Sequence, residues 1–339
     1  MQVTLRQVAE RAGVSASAVS RTFTKGASVS ARTRQKVETA ATELGYSPNA
    51  LARGLTTGRT GMVGLVSNNF HNPVFLEVFD GFTRGLQARG LRPLLVNLSD
   101  LGEPEVLLRL LRQYSVDGVI IASSTVPAAF PGVFRAAGIP VVHSFGRATS
   151  APEGSVFEVP VVGIDNIEAG RLAARTLLAR GYRHIGFLGG PESASTTEDR
   201  WTGLREEVAC HPSVTLTHSY AAAYSHDAGH AEMARLLRCL RAEAYFCGDD
   251  ALAIGALGAI HEAGLRVPED VGILGLNDME MARWGVINLT TIRQPIAAIV
   301  AASLDLIVRA LARATGPAEV QMFSCELVER GTLRPLPTR

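Results

Sequence analysis

The sequence lacks the features that mark secreted, membrane-spanning and disulfide-stabilised proteins. Only four of its 339 residues are cysteine, without CxxC spacing or metal-like pairing with histidine, so we expect reduced thiols and no metal site. No apolar stretch follows a basic segment at the start of the chain, as it would in a secretory signal. The richest apolar stretch, residues 297–308, is interrupted by Asp305 and falls short of the roughly 18 residues of a membrane span. We expect a cytoplasmic protein.

Signatures of common enzymes are missing as well. The sequence has no GxxxxGK(S/T), GxSxG or HExxH motif, and Gly186-(x)2-Gly189-Gly190 lacks the dinucleotide-binding fingerprint. The eight histidines are scattered along the chain. We therefore expect no catalytic residues, no cofactor and no enzymatic activity.

The amino-acid composition is that of a folded protein, and the charged residues are distributed unevenly along the chain. Apolar residues make up 47% and charged residues 19%, and the length predicts two or three folding units. The formal net charge of +1 excludes a uniformly basic nucleic-acid binder. Residues 1–60, however, hold nine basic and three acidic side chains, a net charge of +6, and the remainder carries −5. This asymmetry indicates a polyanion-binding module joined to an acidic body.

The basic segment has the pattern of a helix-turn-helix domain, which we place at residues 1–46. Capping residues divide it into three predicted helices: 3–14 with Thr4 and Gly13, 16–22 after Ser15, and 31–44 between Ser30 and Gly45. Two helices joined by a tight turn would place the second one in a major groove. Helical spacing alone does not separate this prediction from a three-helix bundle with a solvated basic face.

The candidate DNA contacts of this domain fall into two groups. The exposed positions of the second helix would read base edges, and its arginine can bond a guanine bidentately. Hydroxyl groups would donate to phosphates. The base-reading candidates are Ala16, Ser17, Ser20 and Arg21, and the phosphate candidates are Thr4, Ser15, Ser20, Ser30 and Thr33.

Residues 47–60 form a predicted hinge helix and polar linker. A helix this short is marginal alone, so it would fold against DNA or a partner. Three motifs between Thr4 and Leu55 resemble the headpiece of the lactose-repressor/galactose-repressor (LacI/GalR) family of transcriptional regulators. They are Thr4-Leu5-(x)2-Val8-Ala9-(x)3-Gly13-Val14-Ser15-(x)3-Val19-Ser20-Arg21, Val29-Ser30-(x)2-Thr33-Arg34-(x)2-Val37, and Leu44-Gly45-Tyr46-(x)-Pro48-Asn49-(x)2-Ala52-Arg53-(x)-Leu55.

The resemblance implies roles for the hinge segment. It implies that Asn49, Ala52, Arg53 and Leu55 contact operator DNA, and that Leu55 wedges into the minor groove and kinks the duplex. A simple packing leucine is the alternative for Leu55. Thr24 departs from the family pattern, in which an asparagine is usual at that position.

The acidic body, residues 61–339, alternates apolar strand-like runs with amphipathic helical stretches. This rhythm predicts parallel sheets with helices on both faces, and nine or ten strands exceed one compact sheet. The predicted strands are 62–67, 93–98, 118–122, 140–144, 159–164, 184–189, 214–218, 244–247 and 271–276. The predicted helices include 73–89, 166–180, 228–241 and 250–263.

The family resemblance continues through the body. It rests on motifs that include Asn72-Pro73-Val74-Phe75, Asp165-Asn166-(x)3-Gly170, Arg200-(x)2-Gly203, Asp250-(x)2-Ala253-(x)-Gly255-Ala256 and Leu289-Thr290-Thr291-Ile292-Arg293-Gln294-Pro295. It implies a two-lobed fold like that of type I periplasmic sugar-binding proteins, with an effector in the cleft and chain crossings near 161–164, 290–293 and 322–325. The N-lobe would comprise about 61–162 and 293–322, and the C-lobe about 163–291 and 323–339.

The effector candidates lie where strands end, because ligands of open α/β sheets bind beyond the carboxyl ends of strands. Polar candidates at such ends are Asn69, His71, Arg147, Asp165, Asp249 and Asn277. The resemblance adds Arg200 and Tyr224. Phe70, Phe145, Tyr224 and Trp284 could supply an apolar face. Helix capping is the alternative role for Asp165 and Asp249, core packing for Tyr224, and a solvated helix surface for Arg200.

Two departures from the family pattern leave the effector open. Asn277 stands where many sugar-responsive members carry aspartate, and Asp249 stands where an amide is commoner. A polyol-like ligand fits these residues, and Arg147 and Arg200 would also suit an acidic sugar derivative.

The expected function is a repressor of carbohydrate uptake or catabolism genes that binds a pseudo-palindromic operator as a homodimer. A small sugar-like effector would change its affinity for DNA, and the coupling between the two sites must be reciprocal. The alternatives are a sugar-binding protein or sensor without DNA regulation, and a regulator that responds to a sugar acid or a purine. A chain end without a heptad tail favours a dimer over a tetramer.

Overall fold

The computed structural model describes residues 3–24, 26–47, 59–98, 104–123, 125–126, 130–147, 159–239, 241–312 and 318–337. The chain divides into two compact units, Met1–Gly61 and Met62–Arg339.

The first unit is a bundle of three helices. They are Leu5–Ala12 (α1), Ala16–Thr22 (α2) and Ala31–Leu44 (α3). Each of the predicted N-caps, Thr4, Ser15 and Ser30, accepts a hydrogen bond from the backbone N–H three residues on. Each helix contributes one fully buried valine to the core, namely Val8, Val19 and Val37. The predicted helices and their caps are confirmed.

In the second unit the described strands form two six-stranded sheets. The strands of the first sheet are Met62–Ser67 (β1), Arg92–Asn97 (β2), Gly118–Ala122 (β3), Val141–Ser144 (β4), Val161–Ile164 (β5) and Val320–Phe323 (β11). Their order in the sheet is β11-β5-β4-β3-β1-β2, and all of the described pairs are parallel. Its helices are Val74–Ala88 (α4), Pro104–Gln113 (α5), Phe130–Ala136 (α6) and Ile296–Leu311 (α11).

The strands of the second sheet are His184–Gly189 (β6), Thr215–Tyr220 (β7), Ala244–Cys247 (β8), Gly272–Asn277 (β9), Thr291–Arg293 (β10) and Glu326–Val328 (β12). Their order in the sheet is β12-β10-β9-β8-β6-β7, and only the pair of β10 with β12 is antiparallel among the described strands. Its helices are Asn166–Ala179 (α7), Ser195–Ala209 (α8), His226–Cys239 (α9) and Asp250–Glu262 (α10), with a short 3-10 helix over Glu280–Arg283.

The central strands have nearly continuous apolar sequences because both of their faces are buried. All five residues of β3, and all six of β9, are buried. Parallel sheets covered by helices on both sides require this pattern. The predicted two-lobed α/β architecture with parallel sheets is confirmed.

The first sheet with its helices forms the first lobe, and the second sheet with its helices forms the second lobe. The chain passes between these two lobes three times. It leaves the first sheet after Ile164, enters α11 of the first lobe after Arg293, and runs from Phe323 of β11 to Glu326 of β12. Ile164 pairs with Phe323 in the first sheet, and Arg293 pairs with Asn277 in the second. The lobe bounds predicted at about 162, 293 and 323 therefore differ from the structure by one or two residues: residues 163–164 and Phe323 belong to the first lobe, and Arg293 belongs to the second.

Two glycines set the distance between α7 and α8. A Cβ on Gly170 would overlap the carbonyl oxygen of Arg200, and one on Gly203 would overlap the carbonyl oxygen of Ile167. The two helix backbones therefore touch, and this contact places α8 beside the strand ends that face the other lobe. No described helix is long and apolar enough to cross a membrane.

Candidate functional site

The surface of α2 carries the predicted base-reading residues. Ala16, Ser17, Ser20 and Arg21 are all exposed, while Val19 on the opposite face is fully buried. Small side chains at the start of the helix leave its backbone accessible, and Arg21 lies in its last turn. This arrangement can present an α-helix to the edges of base pairs in a major groove.

Four of the five predicted phosphate contacts lie at helix N-termini, and the fifth, Ser20, lies in the second half of α2. Thr4, Ser15 and Ser30 are exposed N-caps, and Thr33, which is half-buried, accepts a hydrogen bond from Ser30 Oγ at 2.9 Å. Backbone N–H groups at the start of a helix bind anions, so each of these ends is also suited to a phosphate. The hinge candidates Asn49, Ala52, Arg53 and Leu55 lie outside the described residues.

A small cavity of about 30 Å³ lies between the two lobes of the second unit. It is bounded by the carboxyl ends of strands in both sheets and by the first turns of α4, α7, α8 and α11, as expected for an open α/β fold. Its lining residues are Asn69, Asn72, Val74, Phe75, Val78, Phe145, Ile164, Asn166, Thr196, Arg200, Tyr224, Asp249, Asn277, Gln294 and Ile296.

A groove of about 330 Å³ adjoins the cavity. Asn69, Asn72 and Tyr224 line both spaces, so the groove is the mouth of the cavity. The other lining residues of the groove are Asn68, His71, Thr125, Pro191, Ser193, Ala194, Ala222, Ala223 and Ser225. No Lys, Arg, Asp or Glu occurs among these described lining residues.

Arg200 is held at the cavity wall by two hydrogen bonds. Its Nε donates to Asn166 Oδ1 at 2.8 Å, and its Nη1 donates to the carbonyl oxygen of Gly248 at 2.5 Å. The residue is 5% exposed. Within the described part of the chain Nη2 has no hydrogen-bond partner, so the two N–H groups of this nitrogen remain for a ligand.

Asp249 is a buried carboxylate that joins the two lobes. Its Oδ1 accepts from the backbone N–H of Ala251, which makes it the N-cap of α10. Its Oδ2 accepts from Asn72 Nδ2 of the first lobe at 2.9 Å and from Asn277 Nδ2 at 2.6 Å. Burial raises the pKa of Asp249 to about 6, although these bonds favour the anion. Both roles considered for Asp249, helix cap and cavity wall, occur together in the fold.

Asn277 bridges the carboxylate and a chain crossing. It is the last residue of β9, and its Oδ1 accepts a short hydrogen bond from Gln294 Nε2. Its backbone has a φ of 126°, which residues with a Cβ rarely adopt. The amide is thus held at the cavity wall by two hydrogen bonds, one through its nitrogen and one through its oxygen.

Tyr224 and two phenylalanines give the cavity its aromatic surface. The Tyr224 hydroxyl lies 2.7 Å from Thr197 Oγ1 and 3.2 Å from Thr196 Oγ1. Phe145 packs against Phe75 with ring centroids 5.8 Å apart. A sugar ring requires such apolar faces beside fixed polar groups.

Three sequence candidates lie away from the cavity lining. Asp165 is exposed and caps α7 by accepting from the N–H of Glu168 at 2.9 Å. Phe70 packs on Phe79 with centroids 5.0 Å apart. Trp284 is 52% exposed after the 3-10 helix. The structure therefore favours capping for Asp165 and gives no cavity contact to Phe70 or Trp284.

Two more candidates lie at the mouth. His71 is exposed and lines the groove. Arg147, which follows β4 of the first lobe, donates to Glu198 at 3.1 Å and to Asp199 at 2.6 Å on α8 of the second lobe. Desolvation raises the pKa of Asp199, and the Arg147 charge opposes this shift. The arginine is an ion-paired bridge between lobes, with its charge already compensated.

Sequence reasoning did not single out four polar residues of the cavity, Asn72, Asn166, Thr196 and Gln294. Asn72 and Gln294 each precede a proline, and Asn166 follows Asp165, within the motifs that carry the family resemblance. That placement was the available signal for Asn72 and Gln294, because the backbone of a residue before proline is restricted to extended conformations.

Comparisons with known proteins agree with this organisation. The profile of bacterial regulatory proteins of the lacI family matches residues 4–49, and the profile of the periplasmic binding protein-like domain matches residues 174–333. The chain is 30% identical over 343 residues to the HTH-type transcriptional repressor PurR of Pectobacterium atrosepticum, covering 99% of this chain and 98% of that protein. It is 35% identical over 299 residues to the HTH-type transcriptional regulator CelR of Thermobifida fusca, covering 86% and 87%.

Solved structures give the same result. The Lac repressor dimer bound to operator and the anti-inducer ONPF superposes with a TM-score of 0.86 at 25% identity, over 98% of this chain and 99% of that one. The CelR–cellobiose complex superposes with a TM-score of 0.71 at 30% identity, over 98% and 100%.

Proposed function

Because the chain belongs to the lacI family of bacterial regulatory proteins, we propose that it represses genes of carbohydrate uptake or catabolism under the control of a neutral sugar-like effector. Its two domains are those of a DNA-binding transcriptional regulator with a ligand-binding domain. The expectation that it is not an enzyme is confirmed, since its relatives are transcriptional regulators.

The DNA half of the proposal rests on the three-helix unit. An exposed α2 with small residues at its start, an arginine in its last turn and three capped helix ends can read bases and bind phosphates together. We propose that two copies of the chain bind a pseudo-palindromic operator in the cytoplasm. The Lac repressor structure, which contains a dimer on its operator, supports this arrangement by analogy.

The observation that carries the effector half is the composition of the cavity between the lobes. Its polar lining consists of amides and hydroxyls plus one buried cation, Arg200, and one buried carboxylate, Asp249. Planar amide, guanidinium and carboxylate groups bond adjacent hydroxyls of a polyol. Because the two charges offset one another, a neutral ligand fits better than a charged one. The CelR structure, a complex with cellobiose, supports this class.

An acidic sugar derivative is less favoured. The charge of Arg147 is taken up by Glu198 and Asp199, and that of Arg200 lies near Asp249. An anionic ligand would add a fourth negative group to these three carboxylates without an unpaired cation to match it, at a substantial desolvation cost.

The cavity in this structure is too small to hold a whole sugar ring. Roughly 10–15 Å³ is needed for one water, so a cavity of about 30 Å³ accommodates one or two hydroxyl groups. A sugar must therefore part the lobes or extend into the groove of about 330 Å³. Opening the lobes would break the bond between Asn72 and Asp249. This gives the effector a direct means of changing the lobe arrangement.

The test is a thermal-shift and calorimetric screen of the full chain. The panel contains neutral mono- and disaccharides including cellobiose, sugar acids and purine bases. We expect neutral sugars to raise the melting temperature, as ligand binding at about 100-fold excess over Kd stabilises by about 2.7 kcal/mol. Stabilisation by sugar acids or purines alone would refute the proposed class.

A matched pair of arginine variants on α8 makes the test specific to the cavity. Arg200→Ala should abolish the sugar-induced shift, because it removes the only buried guanidinium of the described cavity lining. Arg205→Ala, an exposed position on the same helix, should retain it. An unchanged shift in Arg200→Ala would remove Arg200 from the site. Operator release measured with the same sugars would separate a regulator from a sensor without DNA regulation.

A further inference from the structure

Asp278 follows the cavity residue Asn277 and is surrounded by arginines. Its side chain is fully buried. Its Oδ1 accepts from Arg330 Nη2 at 2.5 Å, and its Oδ2 accepts from Arg293 Nε at 2.7 Å and Arg283 Nη2 at 3.2 Å. Burial raises the pKa of Asp278, but the hydrogen bonds from Arg330 and Arg293 outweigh it and hold the pKa below its usual value. The group is a buried anion held by three cations.

The backbone at this point adopts an uncommon conformation. Asn277 and Asp278 have φ values of 126° and 59°, and neither is glycine. Such conformations persist where the surroundings over-determine them. The three arginines anchor Asp278, and the anchored backbone directs the Asn277 amide toward Asp249 and Gln294.

The same carboxylate is connected to two chain crossings. Arg293 is the last residue of β10, and it pairs in register with Asn277 on β9 and with Glu326 on β12. Its Nη1 donates to Glu326 Oε1 at 2.7 Å. One crossing begins directly after Arg293, and another ends at Glu326. A single guanidinium therefore links Asp278 to the ends of both crossings.

We propose that Asp278 is a positioning residue that holds Asn277 at the cavity wall and transmits its position to the crossings after Arg293 and before Glu326. A ligand that moves the Asn277 amide would, through this cluster, alter the segments that join the lobes. The contact of Asn277 with an effector belongs to the proposed function, on which the regulatory meaning of this cluster rests.

Hydrogen–deuterium exchange of the full chain, followed by mass spectrometry without any ligand, tests the cluster. Asp278→Asn keeps the side-chain volume and removes the charge. We expect exchange in segments 277–279, 291–293 and 326–328 to accelerate at least about tenfold, the equivalent of about 1.4 kcal/mol of lost protection. Strands β1 and β3 of the other lobe should keep their rates.

Arg283→Gln is the matched control. Arg283 is 58% exposed and joins Asp278 to the 3-10 helix, not to the crossings. Its loss should leave exchange at 291–293 and 326–328 within about twofold of the original, since exposed ion pairs contribute little. Unchanged exchange at the crossings in Asp278→Asn, or an equal acceleration in both sheets, would overturn the proposal.

Arg293→Gln tests the same cluster by removing the cation that joins Asp278 to Glu326. It keeps the proposal testable if Asp278→Asn does not fold. It should accelerate exchange at 277–279 and at 326–328, and an effect limited to 291–293 would overturn the proposal. At residues 277–279 the double variant should lose no more protection than the more affected single variant, because Arg293 acts on this segment through its bond to Asp278. Additive losses at 277–279 would overturn the proposal. Since no effector is used, a failed ligand screen and a failed exchange experiment remain distinguishable.

Discussion

Two buried aspartates at the start of α10 have pKa values that make stability depend on pH. Burial is the main cause, raising the pKa of Asp249 to about 6 and that of Asp250 to about 7 from 3.8. Asp250 accepts from Thr291 Oγ1 at 2.5 Å and from the N–H of Met279 at 2.8 Å, and no cation among the described residues is bound to it. The folded state therefore holds protons that the unfolded chain has released between about pH 4 and pH 7.

This proton excess sets the sign of the pH dependence. The contribution of Asp249 and Asp250 to the free energy of unfolding should fall as pH rises from 5 to 8, by on the order of 3 kcal/mol, because each pKa unit corresponds to about 1.4 kcal/mol. Denaturant titrations across this range measure it. Asp250→Asn should flatten the slope, whereas Asp227→Asn, at a fully exposed carboxylate, should not. Stability that rises with pH from 5 to 8 would contradict the raised pKa values.

At the scale of elements, the glycine contact between α7 and α8 determines where Arg200 lies. Gly203→Ala would drive a Cβ into the carbonyl of Ile167, and the backbone cannot yield as a side chain can. We expect a loss of about 1–3 kcal/mol in the free energy of unfolding, measured by chemical denaturation. Gly258→Ala on α10 is the control, since its Cβ would meet only His230 at 3.4 Å. That change should be neutral or stabilise by up to about 1 kcal/mol. Equal effects of the two substitutions would show that the helix contact tolerates a Cβ.

Elements were predictable from the sequence where local chemistry decides them. Helix α3 runs from Ala31 to Leu44, between a serine that caps its first turn and a glycine with a φ of 65°, as the sequence indicates. The buried strands follow from apolar runs between turn residues, and β1, β3, β6 and β8 coincide with their predicted ranges.

Contacts between distant elements were not predictable in the same way. Asn72 and Asp249 are 177 residues apart, and Arg147 and Glu198 are 51 apart. A strand end shows only that a side chain can face the cleft. Whether it does depends on competing partners, and for Asp165 the helix N-terminus is the nearer one. The ion pairs of Arg147 similarly depend on the placement of the second lobe.

At the scale of the whole molecule, the charge of the chain is divided between two tasks. The first 60 residues carry +6 and the remainder −5. Affinity that comes from phosphate neutralisation falls linearly with the logarithm of salt concentration. An acidic remainder lowers attraction of the rest of the chain to DNA. The charge division therefore predicts that the salt dependence of operator binding originates in the basic segment.

Operator binding measured between 50 and 200 mM salt tests this division, and three arginine variants separate its components. The full chain should lose about a thousandfold in affinity over this range if about six phosphates are neutralised.

Arg21→Ala should lower specific affinity by about 1–3 kcal/mol, because an exposed arginine of α2 would lose its base contact, with little change in binding to random DNA. Arg32→Ala, at an exposed position in the first turn of α3, should weaken both kinds of binding alike, as loss of a phosphate contact does. Arg238→Ala, exposed in the acidic remainder, should alter neither the affinity nor the salt slope. A loss in Arg21→Ala that is equal on operator and random DNA would assign Arg21 to the phosphates instead of the bases.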